Sequence, residues 1–167
     1  MQRVLFTRGA GFIGQNLEHT RRRRRPADRL VVIDAVTYAT HIPGVEPMIA
    51  DRSIAFVKCA IGNGDLVRRL FNERRYTHVA HFAAEFHVDR SIAAPEPFLQ
   101  TNVLGTSTLK KALNAWRNSF LEDVRFLHAA SKGASDHLAR SFVATYGLPA
   151  LITNFSNNYA PSSIRKS

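Results

Sequence analysis

The first fourteen residues constrain this chain more than any other stretch. Arg3-Val4-Leu5-Phe6-Thr7 is a short apolar run with β-branched and aromatic content, the pattern of a buried strand. Gly9-Ala10-Gly11-Phe12-Ile13-Gly14 follows at once and fits G-x-G-x-x-G. Such a turn lets the backbone approach a pyrophosphate, which then rests on the positive end of the next helix. The same spacing also occurs in ordinary tight strand-to-helix turns, so context matters. Here a strand precedes, a helix follows from Phe12 to about Arg22, and an acidic residue ends the next apolar run.

That next run is Leu30-Val31-Val32-Ile33, a continuous apolar stretch that reads as a second parallel strand. Asp34 closes it, close to the distance expected of a carboxylate that bonds ribose hydroxyls; a cap on the following loop is the competing use. Thr37 to Asp51 holds Pro43, Gly44 and Pro47 and should be irregular. Ile54 to Val57 is a third strand, and Asp65 to Phe71 a helix with Leu66, Val67 and Leu70 inward. His78 to Phe82 is a fourth strand. Phe98 to Arg117 has helical apolar spacing through Leu99, Val103, Leu109, Leu113 and Trp116. Val124 to Leu127 is a fifth strand, Ser131 to Tyr146 a helix stopped by Gly147-Leu148-Pro149, and Ala150 to Thr153 a sixth strand.

Strands alternating with helices imply an α/β fold: a Rossmann-like, doubly wound parallel sheet with helices on both faces. The expected organisation is an incomplete NAD(P)-binding domain over residues 1–160 and a loose polar tail over 161–167. Ligands of such sheets bind at the carboxyl ends of the strands. Gly9 to Gly14, Asp34, Ala60-Ile61, Ala83 to Phe86 and His128 should gather there.

Composition narrows the class. A chain of 167 residues suffices for one domain with a real core. No apolar run is long enough to span a bilayer, so no membrane partner is expected. The lone Cys59 rules out an internal disulfide, and a reducing cytoplasm is the default location. No metal site is expected. The net charge of +10 is concentrated in the run Arg21 to Arg25. Consecutive residues point all around a helix, so the run reads as a solvated, fraying helix end rather than a nucleic-acid contact stripe.

Taken together, the motifs resemble those of the extended short-chain dehydrogenase/reductase family, and within it the dTDP-glucose 4,6-dehydratases. Thr7 to Gly14 is similar to T-G-G-A-G-F-I-G, and Asp34 to Ala39 to D-K-L-T-Y-A. His81 to Ile92 is close to H-L-A-A-E-S-H-V-D-R-S-I, and Thr101 to Thr106 matches T-N-V-x-G-T. Ser131 to Leu138 matches S-K-x-A-S-D-H-L, and Thr153 to Tyr159 resembles T-N-C-S-N-N-Y. The resemblance implies NAD as cofactor, held by Gly9, Gly11, Phe12, Ile13, Gly14, Asp34, Thr37, Ile61, Ala83, Ala84, Glu85, Thr101, Lys132 and Asn158. It implies dTDP-glucose as substrate, contacted by Phe86, His87, Arg90 and Asn157. It implies a homodimer packed through Phe98–Arg117 and Ser131–Tyr146. The implied reaction is a hydride loan: oxidation at C4 by a Tyr-x-x-x-Lys pair, loss of water across C5 and C6, and return of the hydride to C6.

The departures fall on that chemistry. The family's S-T-D-E-V-Y-G loop and its Y-S-A-S-K tyrosine are missing. Phe126-Leu127-His128 passes through Ala129-Ala130 directly into Ser131-Lys132. His128 stands in the tyrosine position, but as the last residue of a strand it does not share a helical face with Lys132. Arg8 replaces the first family glycine, Ala60 an adenine-reading acid, and Phe86 a sugar-contacting serine. Ala160 and Pro161-Ser162-Ser163 replace the family's way into the substrate domain, so that domain is expected to be absent. Catalysis should therefore be impaired or lost. The alternatives are a non-catalytic, NAD-binding and dimerising remnant or a decayed gene product.

Overall fold

The computed structural model describes residues 1–38, 40–85, 96–120, 125–129, 140–141, 143–147 and 149–153; at 119, 120, 125–129 and 153 it describes the backbone alone. Six parallel strands form one sheet: β1 (Arg3–Thr7), β2 (Arg29–Asp34), β3 (Ile54–Lys58), β4 (His78–His81), β5 (Arg125–Ala129) and β6 (Ala150–Thr153). Their order is β3-β2-β1-β4-β5-β6, so the winding reverses between β1 and β4. That reversal opens a crevice at the carboxyl ends of the two strands, the usual ligand position in open α/β sheets. The expected doubly wound sheet is thus the observed one.

The period-2 alternation of the strands feeds two cores. Leu5, Val31, Ile33 and Val79 point to one face. There they meet Val67, Leu70 and Phe71 of α3 (labelled in chain order; Gly64–Glu73) and Leu109, Leu113 and Trp116 of α4 (Thr106–Phe120). Phe71 is the hub of that layer: its ring stands edge-on to Tyr76 with centroids 5.3 Å apart, and 6.3 Å from Trp116. Val4, Phe6, Leu30, Val32 and Ala80 point the other way, onto Ile13 and Leu17 of α1 (Phe12–Arg24) and Met48 of α2 (Glu46–Ala50).

Several boundaries differ from the sequence expectation. The stretch expected to be irregular holds a 3₁₀ turn at Ile42–Gly44 and the short helix α2. Pro47 lies in the first turn of α2, where its missing N–H has no intrahelical partner to lose, and Met48 is buried. Helix α1 continues to Arg24 rather than fraying at Arg22. Arg21 donates to the Asp28 carboxylate at 2.7 Å, and Arg22 donates to the Asp28 carbonyl at 2.8 Å. These bonds tie the arginines to the turn before β2. Strand β5 runs on to Ala129, so His128 is not the strand's last residue; its backbone lies between His81 of β4 and Ile152 of β6. The helix expected from Phe98 begins at Glu96 and passes through a π-helical segment, Leu99–Gly105, before α4.

Candidate functional site

The glycine-rich turn leaves β1 and enters α1 at the crevice. Gly11 is the helix N-cap, in extended backbone, with no side-chain capping bond, and the first turn of α1 holds no acidic residue. The N–H groups of that turn, which have no intrahelical acceptor, therefore meet no carboxylate from their own helix. Gly14 lets this helix start close to the turn. A methyl there would come within 2.6 Å of both the Arg8 carbonyl oxygen and the Gly9 Cα.

Asp34, at the end of β2, is almost fully buried and holds the turn in place. Its carboxylate accepts from the Ala10 N–H at 3.2 Å, the Val36 N–H at 2.8 Å and the Thr40 hydroxyl at 2.8 Å. The competing use of this residue, capping its own loop, is thus realised. The carboxylate also lines a cavity of about 260 Å³ at the carboxyl edge of the sheet. A carboxylate offers about four acceptor positions, so three bonds leave room for a ligand hydroxyl.

Of the residues expected to hold a cofactor, Asp34, Thr37, Ile61, Ala83, Ala84, Glu85 and Thr101 all line this one cavity. Gly9, Gly11, Phe12, Ile13 and Gly14 form the turn and the first helical residues, but none of them lines the cavity, where Arg8 stands instead. Glu85 is fixed through its backbone: its N–H donates to the Asn102 side-chain oxygen at 2.8 Å, and its carbonyl accepts from the Asn102 amide at 2.9 Å. Tyr38 donates its hydroxyl to the Glu85 carboxylate at 2.9 Å, reaching across from the β2 side. Lys132, Asn157 and Asn158, and the substrate positions Phe86, His87 and Arg90, lie outside the described residues, as does the side chain of His128.

Four features go beyond the residues expected to hold a cofactor. Arg8 lines the cavity, with its guanidinium donating to the Ala84 carbonyl. Burial pulls its pKa below the ordinary value, and the Glu85 and Asp34 carboxylates oppose that shift. Cys59 also lines the cavity; burial pushes its thiol up, away from a reactive thiolate. Asn102, carried by the π-helical segment, positions Glu85. Glu18 of α1 lies beneath the turn, fully buried, and among the described residues neither carboxyl oxygen has a hydrogen-bond partner. Burial, with the charge of Asp34 adding, pushes the Glu18 pKa well above the ordinary value. Among the described residues no cluster of His, Cys, Asp and Glu could hold a metal ion, and no helix is long and apolar enough to cross a membrane.

A parallel sheet wound in this order, with a glycine-rich turn leading into an uncapped helix N-terminus and an acid that ends β2 and lines the cavity, defines a domain of the dinucleotide-binding α/β class. Known proteins agree with that class and narrow it. The profile of the GDP-mannose 4,6 dehydratase family matches residues 5–132, and the chain belongs to that family. It is 41% identical over 191 residues to a dTDP-glucose 4,6-dehydratase of Xanthomonas campestris pv. campestris, covering 94% of this chain and 53% of that protein. A dTDP-glucose 4,6-dehydratase of Mycobacterium tuberculosis is 38% identical, with 95% and 54% covered. Among solved structures, the dTDP-glucose 4,6-dehydratase of Streptomyces venezuelae with NAD and TYD bound superposes with a TM-score of 0.79 at 34% identity, covering 95% of this chain and 57% of that one. A Thermus thermophilus UDP-glucose 4-epimerase in complex with NAD shares the fold at a TM-score of 0.79 and 24% identity. The chain thus spans about half the length of the curated relatives it matches. The first alignment runs to 191 residues although this chain has only 167, so the relative carries residues inside the matched stretch that have no counterpart here.

Proposed function

We propose that this chain is an NAD-binding domain of the dTDP-glucose 4,6-dehydratase type that does not turn over dTDP-glucose by itself. The observation that carries the first half is Asp34, which ends β2, lines the cavity and holds the glycine turn through the Ala10 N–H. The helix end suits a pyrophosphate and the carboxylate a ribose hydroxyl. Asp34, Thr37 and Ile61 would hold the adenosine end, while Ala83, Ala84 and Thr101 would line the path toward the nicotinamide. When bound, NAD supplies the hydride acceptor that the family reaction needs.

The second half rests on what the chain lacks. Only two residues, Ala130 and Ser131, separate the end of β5 from Lys132. No tyrosine stands four residues before that lysine; the position is held by His128, whose backbone is engaged in the sheet between β4 and β6. A strand residue and a later residue do not share a face as an i, i+4 helical pair does. Exposed Leu99 and Leu104, on the π-helical segment, are consistent with a homodimer through that face.

Two measurements on the purified chain test the reading. NAD should raise the melting temperature in proportion to the logarithm of its concentration above Kd; the absence of any shift up to millimolar NAD sinks the cofactor assignment. With dTDP-glucose and NAD, the alkali-developed absorbance of a 4-keto-6-deoxy sugar should stay at the protein-free level. Product accumulating in proportion to protein overturns the non-catalytic assignment.

A further inference from the structure

In a parallel sheet all strands start at one edge, and here that edge lies opposite the cavity. This chain places arginine at almost every start. Arg3 opens β1 and Arg29 opens β2, and the two are register partners. Arg52 stands just before β3, Arg74 and Arg75 just before β4, and Arg125 opens β5. Helix α1 returns the chain from the carboxyl edge, so its C-terminal run, Arg21 to Arg25, joins the same row. The sequence alone sets that run on an isolated helix end; the topology adds the strand starts to it.

The row is exposed. Arg23, Arg24, Arg25, Arg29, Arg52, Arg74 and Arg75 are all exposed. Among the described acids there, Asp28 is buried against Arg21 at 2.7 Å, and Glu73 is paired with Arg69 at 2.6 Å. Asp51 is the exposed acid beside Arg52. We propose that this arginine edge is a binding surface for the phosphate backbone of duplex nucleic acid, without sequence preference.

Three features favour that partner. Strand spacing spreads the row from β3 to β5 over about 19 Å, enough to reach phosphates on both sides of a major groove about 12 Å wide. The charges are guanidiniums, whose forked donors match phosphate oxygens better than ammonium groups do. Among the side chains described there, Tyr76, next to Arg75, is fully buried and offers no ring for stacking on unpaired bases. Contacts to phosphates position the duplex and do not specify its sequence. This surface is remote from the cavity and does not depend on NAD binding.

The test is fluorescence anisotropy of a labelled duplex of arbitrary sequence, titrated with the full chain between about 50 and 200 mM salt. Binding should weaken steeply with salt. The triple variant Arg29→Ser/Arg52→Ser/Arg74→Ser should lower the slope of log K against log salt by about 1 per arginine removed. Should circular dichroism show that variant unfolded, Arg23→Ser/Arg24→Ser/Arg25→Ser carries the same expectation. Lys111→Ser, on the exposed side of α4, should leave the slope unchanged. No binding at the lowest salt, a slope unmoved in the folded arginine variants, or tighter binding to phosphatidylserine vesicles than to duplex at equal phosphate overturns the proposal.

Discussion

The side chain of Arg8 lies across the backbone of Gly11. A methyl on Gly11 would meet the Arg8 Cγ at 3.2 Å and its Nε at 3.3 Å. Arg8 itself has φ +54°, a left-handed conformation that glycine takes without strain and that costs other residues about 1–2 kcal/mol. Its guanidinium then bonds the Ala84 carbonyl, joining the turn after β1 to the loop after β4. A glycine-rich turn is useful because a ligand can approach its backbone, and here that approach is occupied by the chain's own side chain.

Arg8→Gly should therefore tighten NAD binding, by up to about tenfold, or about 1.4 kcal/mol. Isothermal titration of both proteins reads this directly. The stability change should be small, because relief of the positive φ is set against the lost bond to Ala84 and the added freedom of glycine in the unfolded chain. Weaker binding in Arg8→Gly would instead make Arg8 a ligand contact.

Asp34 is the bracket between the glycine turn and the loop that follows β2. Asp34→Ala removes the acceptor of the Ala10 and Val36 N–H groups and of the Thr40 hydroxyl in one step. The expected loss is about 2–4 kcal/mol, since buried donors left without acceptors each cost about 1–3 kcal/mol. Denaturant melts should show the midpoint falling with an unchanged slope. The NAD-dependent rise in melting temperature should vanish in the same variant, because turn and ribose contact are lost together.

How much of this was legible in the sequence depends on what decides each feature. Apolar runs and their punctuation made the six strands and their alternation with helices legible, but a continuous apolar run does not tell its two faces apart, so Val4 and Phe6 against Leu5, or Val32 against Val31, are separated only by the pleat of the folded sheet. The motif spacing likewise gathered Asp34, Ile61, Ala84 and Thr101 around one cavity. Features set by tertiary contact were not legible. The π-helical segment answers to packing: a methyl on Gly105 would meet the Ile61 Cγ1 at 2.8 Å. The path of Arg8 across Gly11 is a rotamer, which no spacing encodes. Gln15 and Glu18 are polar residues on the buried side of α1, where pattern reading would place them in water.

Glu18 makes stability depend on pH. Its folded-state pKa is raised well above the ordinary value of 4.5, by burial first and by Asp34 second. The folded form thus holds a proton that the unfolded form gives up. The contribution of Glu18 is fully present below about pH 4.5 and is lost as pH rises toward the folded pKa. Asp28 acts oppositely. Burial alone would raise its pKa, but the Gln2 N–H and Arg21 outweigh that effect, so its contribution disappears as pH falls through the depressed folded value. Glu18→Gln should flatten the decline in stability between mildly acidic and neutral pH. Glu18→Leu should raise stability at neutral pH by about 1–3 kcal/mol by removing a buried polar group without partners, although the branched side chain must fit beneath Gly9. Thermal melts across that pH range decide it: equal pH slopes in Glu18→Gln and the parent chain would discard Glu18 as the source.

Thr7 and His81 close the crevice from below, and the geometry fixes the imidazole tautomer. The Thr7 hydroxyl oxygen accepts from the Phe82 and Ala83 N–H groups, both at 3.1 Å. A hydroxyl has two acceptor lone pairs and one proton, so the proton is left for His81 Nδ1 at 2.7 Å. His81 Nδ1 is then an acceptor, and Nε2 carries the hydrogen that it donates to the Thr106 hydroxyl at 3.1 Å. This chain of bonds links β1, β4 and the start of α4 in a fully buried position. Thr7→Val keeps the shape but deprives the Ala83 N–H of its acceptor and His81 of its donor, while Phe82 retains a 3.3 Å bond to the Thr7 carbonyl. The expected loss is about 2–3 kcal/mol, and Thr7→Ser should recover most of it. Nitrogen-15 NMR of the imidazole supplies the separate check. His81 should show a bare Nδ1 and a protonated Nε2 in the parent chain; a proton on Nδ1 would mean that Thr7 accepts rather than donates and would remove the argument for the Thr7→Val cost.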